Sequence, residues 1–377
     1  MSESARTGAA DPGVVARAVE QITAPRLLEI LRMVADVPAP SGASSPTRGI
    51  AVERWWTARH AAVPYQRDVS GTGCDVISAG EGGLAVLAHL DEISYLLRDR
   101  VRPGVWRVTP YCYHLAEKPS PARVIRFDPT GAFHVLCAGE LVEQDGDHFL
   151  HHPAEVDLGP ADRVVLASPV ACDPESGLVT GSLDNAAGVA AALAAADVLA
   201  GLGLPFSCYL TDEEEGPAGS SSQTISRGAM RLLRTRPAAP MTVAVDIHGL
   251  APAELDAVDF HRRPWGASLA EYSSGGRGSV APPWLYHSVR ELLTPLAADG
   301  VPVRANVGGY VPRSDDVVAM TYSNRVIILG YPGINRHFDR GLPTANIHDL
   351  VALARALVIL GAATGSAPPR DGGAGDR

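Results

Sequence analysis

The chain predicts an α/β fold: a mixed, mostly parallel sheet flanked by helices on both faces, interrupted by a small inserted β-barrel or sandwich. Three observations carry this. Leu84–Leu90 (LAVLAHL) is a short, nearly all-apolar run, as expected of a central strand covered on both faces. Short alternating runs then crowd the segment 95–168: VWRVTPY, ARVIRF, AFHVLCAGELV and DRVVLAS, punctuated by Gly, Pro and Asp. After Thr180 strands and helices alternate again, which argues for a parallel sheet.

In chain order, residues 14–36 show helical spacing of Val, Ile, Leu and Met, and a second helix is expected across Thr47–Ala61. The later elements are a helix at 186–201, a strand at Phe206–Thr211, a helix near Ser221–Arg234 and a strand at Met241–Ile247. A helix at 283–297, strands at Val301–Ala305 and Arg325–Tyr331, and a helix at 347–363 complete the series. The expected organisation is a discontinuous α/β domain at 13–94 and 169–364, a β-domain at 95–168, and disordered ends at 1–12 and 365–377.

Composition excludes several classes. The 377 residues carry a formal net charge of −10, against the clustered positive charge that nucleic acid and anionic membranes require. The N-terminus MSESARTGAADPG lacks the basic start and apolar stretch of a signal peptide. The apolar run Ala186–Leu204 is mostly Ala, is broken by Asp197, and reads as a buried helix. The five cysteines (Cys74, Cys112, Cys137, Cys172, Cys208) lie scattered with no thiolate-clamp spacing, which fits a reducing compartment and a cytoplasmic location.

Five patches then share one property: each lies at a strand end or the loop after it and carries His or carboxylate. Ligands gather at the carboxyl ends of strands in open α/β sheets. In Ala88–Glu92, His89 and Asp91 point the same way along a strand, and a carboxylate behind an imidazole is the usual support of a metal-bound His. Asp184-Asn185 precedes an Ala-rich helix, where either residue could also serve as a cap. Asp212-Glu213-Glu214-Glu215 follows a strand, and four adjacent carboxylates ask for a compensating cation or open solvent. Asp246 tips an apolar strand, where it is costly unless paired or metal-bound; His248 is a bystander beside it. His337 lies in the loop after VIILGY, while His348 falls in the first turn of the last helix. The set offers oxygen and nitrogen without sulfur, which suits Zn, Co or Mn, and it exceeds what one catalytic zinc needs. A pair of divalent metals about 3.5–4 Å apart uses it better.

The order of these patches resembles the dinuclear metallo-aminopeptidases of the tetrahedral, dodecameric type, which include glutamyl aminopeptidases and cellulase M-like proteins, within the co-catalytic zinc exopeptidase clan. AHLDEISYLL is similar to that family's strand-and-exit motif, and the β-rich insertion sits where the family carries its β-domain. The resemblance covers roughly residues 20–363. It implies that His89 and Asp246 hold one metal, Asp184 bridges, and Glu214 and His337 hold the second. Glu213 is then the general base, Asp91 orients His89, and the Asp184–Asn185 peptide is cis. The run DEEEG leaves a second register open, with Glu214 as base and Glu215 as ligand; Glu213 and Glu214 keep the family's spacing to Gly216. The implied activity is release of N-terminal residues from peptides by a metal-bridging water, by a homo-oligomer ranging from dimer to dodecamer. The segment 313–341 departs from the family's small-residue loop and Tyr-x-His, so Arg313, Ser314, Asp315 and Arg336 are candidates for the pocket. Two alternatives stand beside this: a metal-dependent amidohydrolase or deacylase acting on a specialised metabolite, and a non-catalytic binding or assembly member of the fold.

Overall fold

The computed structural model describes residues 11–112, 119–153, 155–216, 225–258, 263–338 and 340–365. The end segments 1–10 and 366–377, expected to be disordered, lie outside this range. Pro12 already begins a helix, Pro12–Val19, which Asp11 caps by accepting from the Gly13 amide.

The core of the main sheet is parallel. Strand Leu84–His89 lies between Phe206–Thr211 and Met241–Ala244, and Met241–Ala244 pairs in turn with Val326–Ile334. All six residues of Leu84–His89 are buried, as expected of a strand covered on both faces. Antiparallel strands extend both edges: Asp75–Ala79 and Tyr65–Gln66 on one side, Thr344–Asn346, Leu178–Thr180 and Ala171–Cys172 on the other. The register sets Thr211 opposite His89, so the loops leaving these strands emerge level with each other.

Helix Ala186–Gly201 is buried on every side from Ala186 to Leu199. Its alanines let helices Ala24–Ala35 and Ile347–Gly365 approach closely; a Cβ on Gly361 would stand 2.7 Å from Leu199. Ile347–Gly365 is long and apolar enough by composition to cross a bilayer, yet 78% of that window is buried inside the protein.

The β-rich segment closes into a six-stranded barrel running from Ser94–Arg102 to Arg163–Leu166. It has its own core around Tyr95, Val124, Leu150 and Val164. It enters the chain soon after the His89 strand and returns it to the edge strands Ala171–Cys172 and Leu178–Thr180, which lead to Asp184.

Several elements differ from the sequence expectation. The first helix is two helices, Pro12–Val19 and Ala24–Ala35, because Thr23 and Pro25 start a new one. The second expected helix begins as a π-turn over Ser45–Gly49 and continues as Ile50–Thr57. Helix Asp315–Tyr322 was not expected, since Ser-Asp-Asp reads as loop. The expected helix near Ser221 begins at Arg227, and residues 217–224 lie outside the described range.

Candidate metal centre

The site forms at the carboxyl ends of the parallel strands. His89 is the last residue of its strand, and Asp246 sits two residues past Met241–Ala244. Glu214 and Glu215 lie in the loop after Phe206–Thr211, and His337 in the loop after Val326–Ile334. Asp184 precedes the Ala-rich helix, and its peptide bond to Asn185 is cis. Asn185 caps that helix by accepting from the Gly188 amide at 3.1 Å, and its Nδ2 donates to the Val245 carbonyl at 2.7 Å. One side chain thereby ties Asp184 to the strand end bearing Asp246. Gly330 permits the last approach: a Cβ there would fall 2.0 Å from the Asp246 carbonyl oxygen.

The geometry is that of a carboxylate shared between two imidazoles. His89 Nε2 lies 3.3 Å from Asp184 Oδ1, and His337 Nε2 lies 3.5 Å from Asp184 Oδ2. Asp246 Oδ1 and Glu214 Oε2 each stand 3.8 Å from His89 Nε2, and Glu215 Oε1 stands 3.3 Å from His337 Nε2. Two ligands bound tetrahedrally at about 2.0–2.2 Å from one cation stand about 3.3–3.6 Å apart. His89 Nε2 and both Asp184 oxygens are buried without a hydrogen-bond partner among the described residues. Nitrogen and carboxylate donors converging at these separations outside hydrogen-bond geometry fit a divalent cation on each side of Asp184.

The acidic loop corrects one part of the sequence reading. Asp91 Oδ1 accepts from the Glu214 amide and Oδ2 from the Glu215 amide, each at 3.2 Å, while the Ser41 hydroxyl donates to Oδ2 at 2.6 Å. This clamp aims the side chains of Glu214 and Glu215 into the site. Glu213, at φ 56°, turns the chain just before it. Its carboxylate faces away, 2.8 Å from Arg227 Nε and 2.9 Å from Arg231 Nη2. Glu213 is therefore outside the cluster, and the second register, Glu214 with Glu215, is the one that converges. Asp91 also backs His89, with its carbonyl 3.1 Å and its Oδ1 3.6 Å from His89 Nδ1. A second buried pair holds the exit of the His89 strand: Arg48 donates to the Leu90 carbonyl at 2.6 Å and to Glu92 Oε2 at 3.0 Å.

Electrostatics follow from burial and crowding. Burial, with the charges of Glu215, Asp246 and Asp315, pushes Glu214 well above the usual carboxylate range, against the pull of His89. Burial opposes the charging of His337, but Glu215 and Asp184 outweigh it and raise it to about 9. Burial alone would raise Asp184; contacts with His337 and His89 hold it well below its ordinary value. His248 is buried with Nδ1 2.8 Å from Ser268 Oγ, its pKa lowered to about 3 by burial; it stands apart as a bystander.

Beside these stand two of the pocket candidates, Arg336 and Asp315, and one residue that the sequence did not assign, Cys112. Cys112, from the loop after the barrel strand Val105–Pro110, brings its thiol within 4.8 Å of the ligand atoms of Glu215 and His337. The set read from the sequence has no sulfur; a single Cys far from any other has no spacing to reveal it. Arg336, a pocket candidate, places Nη1 3.7 Å from Asp184 Oδ2 with a third of its side chain exposed. Asp315 is a buried residue accepting from the Thr211 hydroxyl, its carboxyl raised by burial to about 6. A narrow recess of about 10 Å³ opens onto Asp184, Glu215, Arg336 and His337, with Leu166 of the barrel and Phe338 on its wall.

No family model and no curated protein sequence matches the chain. Solved structures do. A TET aminopeptidase from the marine sediment archaeon Thaumarchaeota archaeon SCGC AB-539-E09 superimposes with TM-score 0.70 at 14% identity, covering 90% of this chain and 96% of its own. An aminopeptidase from the archaeon Desulfurococcus kamchatkensis gives 0.69 at 17%, covering 92% and 96%. The TET1 peptidase of Pyrococcus horikoshii, which assembles into a tetrahedron or a large octahedral shell, gives 0.67 at 18%, covering 89% and 99%. Strands, inserted barrel and strand-end cluster together give this chain the fold of the TET aminopeptidases.

Proposed function

We propose that the protein is a dinuclear-metal-dependent hydrolase of amide bonds, acting as an aminopeptidase. The observation that carries this is Asp184, buried, with one oxygen facing each of two histidines that have carboxylates of their own. His89 and Asp246 would hold one cation, and Glu215 and His337 the other, with zinc favoured and cobalt or manganese accommodated by the nitrogen and oxygen donors. Bound there, the pair supplies a water of lowered pKa and a polarised carbonyl.

The chain's own residues do the rest. Glu214 Oε2, beside His89 and otherwise among carboxylates, accepts the proton from the attacking water and returns it to the leaving amine. Burial and neighbouring negative charge raise its proton affinity, which suits both halves of that task. Asp91 fixes the imidazole of His89 and the direction of the Glu214 side chain at once. A free substrate amine would be drawn to the surplus of carboxylates. We further propose a cytoplasmic homo-oligomer, for which the solvent-facing Trp284, Val307 and Tyr310 offer apolar contact surface.

One observation favours a second reading. Arg336, 3.7 Å from Asp184 Oδ2, also lines the recess and would pair there with a carboxylate of the substrate. That suits an N-acyl amino acid, and hence a deacylase. Hydrolysis of aminoacyl-anilides and of N-acyl amino acids, before and after chelation and metal restoration, tests both. Chelator-sensitive cleavage of the anilides supports the aminopeptidase, and cleavage of the N-acyl panel alone supports the deacylase. Metal-independent cleavage would overturn both.

A further inference from the structure

The two halves of the centre are not alike. On the His89 side, the described residues bring His89, Asp184 and Asp246 together as one group of donors. On the His337 side, Glu215 and His337 are joined by a thiol: Cys112 Sγ and their ligand atoms all lie within 4.8 Å of one another. Asp184 Oδ2, buried and without a hydrogen-bond partner among the described residues, stands 3.5 Å from His337 Nε2. That makes four donors of which one is sulfur, against three on the other side.

We propose that Cys112 is a thiolate ligand of the cation held by Glu215, His337 and Asp184, so that the pair is asymmetric: one closed, sulfur-containing position and one open position at His89. The inference rests on the two-metal reading and deepens it. Four protein ligands are the pattern of a tightly held zinc, whereas three protein ligands leave room for a water or substrate atom. The open position is the one beside Glu214, where a base is of use. On binding, the Cys112 S–H bond breaks, an Sγ–metal bond forms, and one proton passes to solvent. Thiolate also biases the position towards zinc, cobalt or cadmium over manganese or magnesium. Cys112 follows the barrel strand Val105–Pro110, so the barrel contributes a sulfur donor to the centre.

The test is stepwise cobalt(II) loading of the metal-stripped full chain, read by absorption. The first equivalent should bring a near-ultraviolet sulfur-to-cobalt charge-transfer band, and the second should add only ligand-field bands. Cys112→Ser should abolish the charge-transfer band and weaken one of the two cobalt affinities by at least about 10-fold, the scale at which even outer partners of a metal ligand matter. Cys172→Ser, at a partly exposed cysteine on the edge strand Ala171–Cys172 and in neither donor group, should leave both unchanged. In the wild-type chain, loaded metal should also protect Cys112 from alkylation, as located by peptide mass, so the result does not depend on the variant folding. Two cobalt ions bound with no charge-transfer band and no protection would overturn the thiolate ligand while leaving the dinuclear reading intact, with the Cys112 thiol reduced to a hydrogen-bond donor for Glu215. No cobalt bound at all would overturn both.

Discussion

Replacing Glu213 and Glu214 one at a time by Gln separates the two registers of the acidic loop. Glu213 faces Arg227 and Arg231, whose side chains are 38% exposed, and is itself 19% exposed. Ion pairs in such solvent contact are worth about 1 kcal/mol or less each. Glu213→Gln should therefore lower stability by about 1 kcal/mol and change kcat by no more than a few-fold. Glu214 is buried beside His89, Glu215 and Asp246, and its carboxyl is pushed well above the normal range by burial and those charges. An isosteric amide relieves that crowding, so metal-free Glu214→Gln should be at least as stable as the parent. Its kcat should fall about 10²–10⁴-fold, the contribution of a positioned general base, which is about 2.7–5.4 kcal/mol of transition-state stabilisation. KM should move little, because the lost contribution is made in the transition state. The assay is steady-state hydrolysis of an aminoacyl-anilide panel, paired with thermal unfolding of both variants. A collapse of kcat in Glu213→Gln with near-normal turnover in Glu214→Gln would refute the reasoning, including the role given to the Asp91 clamp.

Other consequences follow from single contacts. Arg48→Ala removes the partner of buried Glu92 and should cost about 3–5 kcal/mol in chemical denaturation; a loss under about 1 kcal/mol would show that water replaces the guanidinium. Gly330→Ala should cost about 3 kcal/mol and weaken metal uptake, since the new Cβ meets the Asp246 carbonyl oxygen; unchanged melting and metal content would count against the close approach. Asp349 is buried, accepts from the Gly266 amide, and is raised by burial to about 7, against about 3.9 in an unfolded chain. The folded state binds its proton more tightly, so its contribution is fully present below about pH 4 and is lost as pH rises through about 7. That contribution is on the order of 4 kcal/mol, and Asp349→Asn should flatten the fall in stability across that window; parallel pH–stability curves for the two chains would rule it out.

Much of the architecture was readable because burial leaves a pattern. Leu84–His89 is apolar throughout because both faces are covered, and the barrel strands alternate because one face of each lines a small core. His89, Asp184, Asp246 and His337 could be picked out because each polar group stands at the end of an apolar element. The register of Glu213, Glu214 and Glu215 could not, because identical neighbours carry no periodicity. The positive φ of Glu213 and the grip of Asp91, more than a hundred residues away, decide which two turn inward. Asp315 stands among the pocket candidates of the sequence, but its burial was not legible: only tertiary packing brings Thr211 to its carboxylate and makes a buried acid of what reads as a polar loop. Cys112 was hidden because its partners come from two other segments, so no spacing in the chain marks it.

The account turns on Asp184 standing between two cations. Elemental analysis of purified wild-type protein and of Asp184→Asn, each after metal loading and desalting, tests this most directly. The account predicts two divalent ions per wild-type chain and, in the variant, loss of the pair, with at most one ion retained. Two ions retained by Asp184→Asn, or none bound by the wild-type chain, would contradict it.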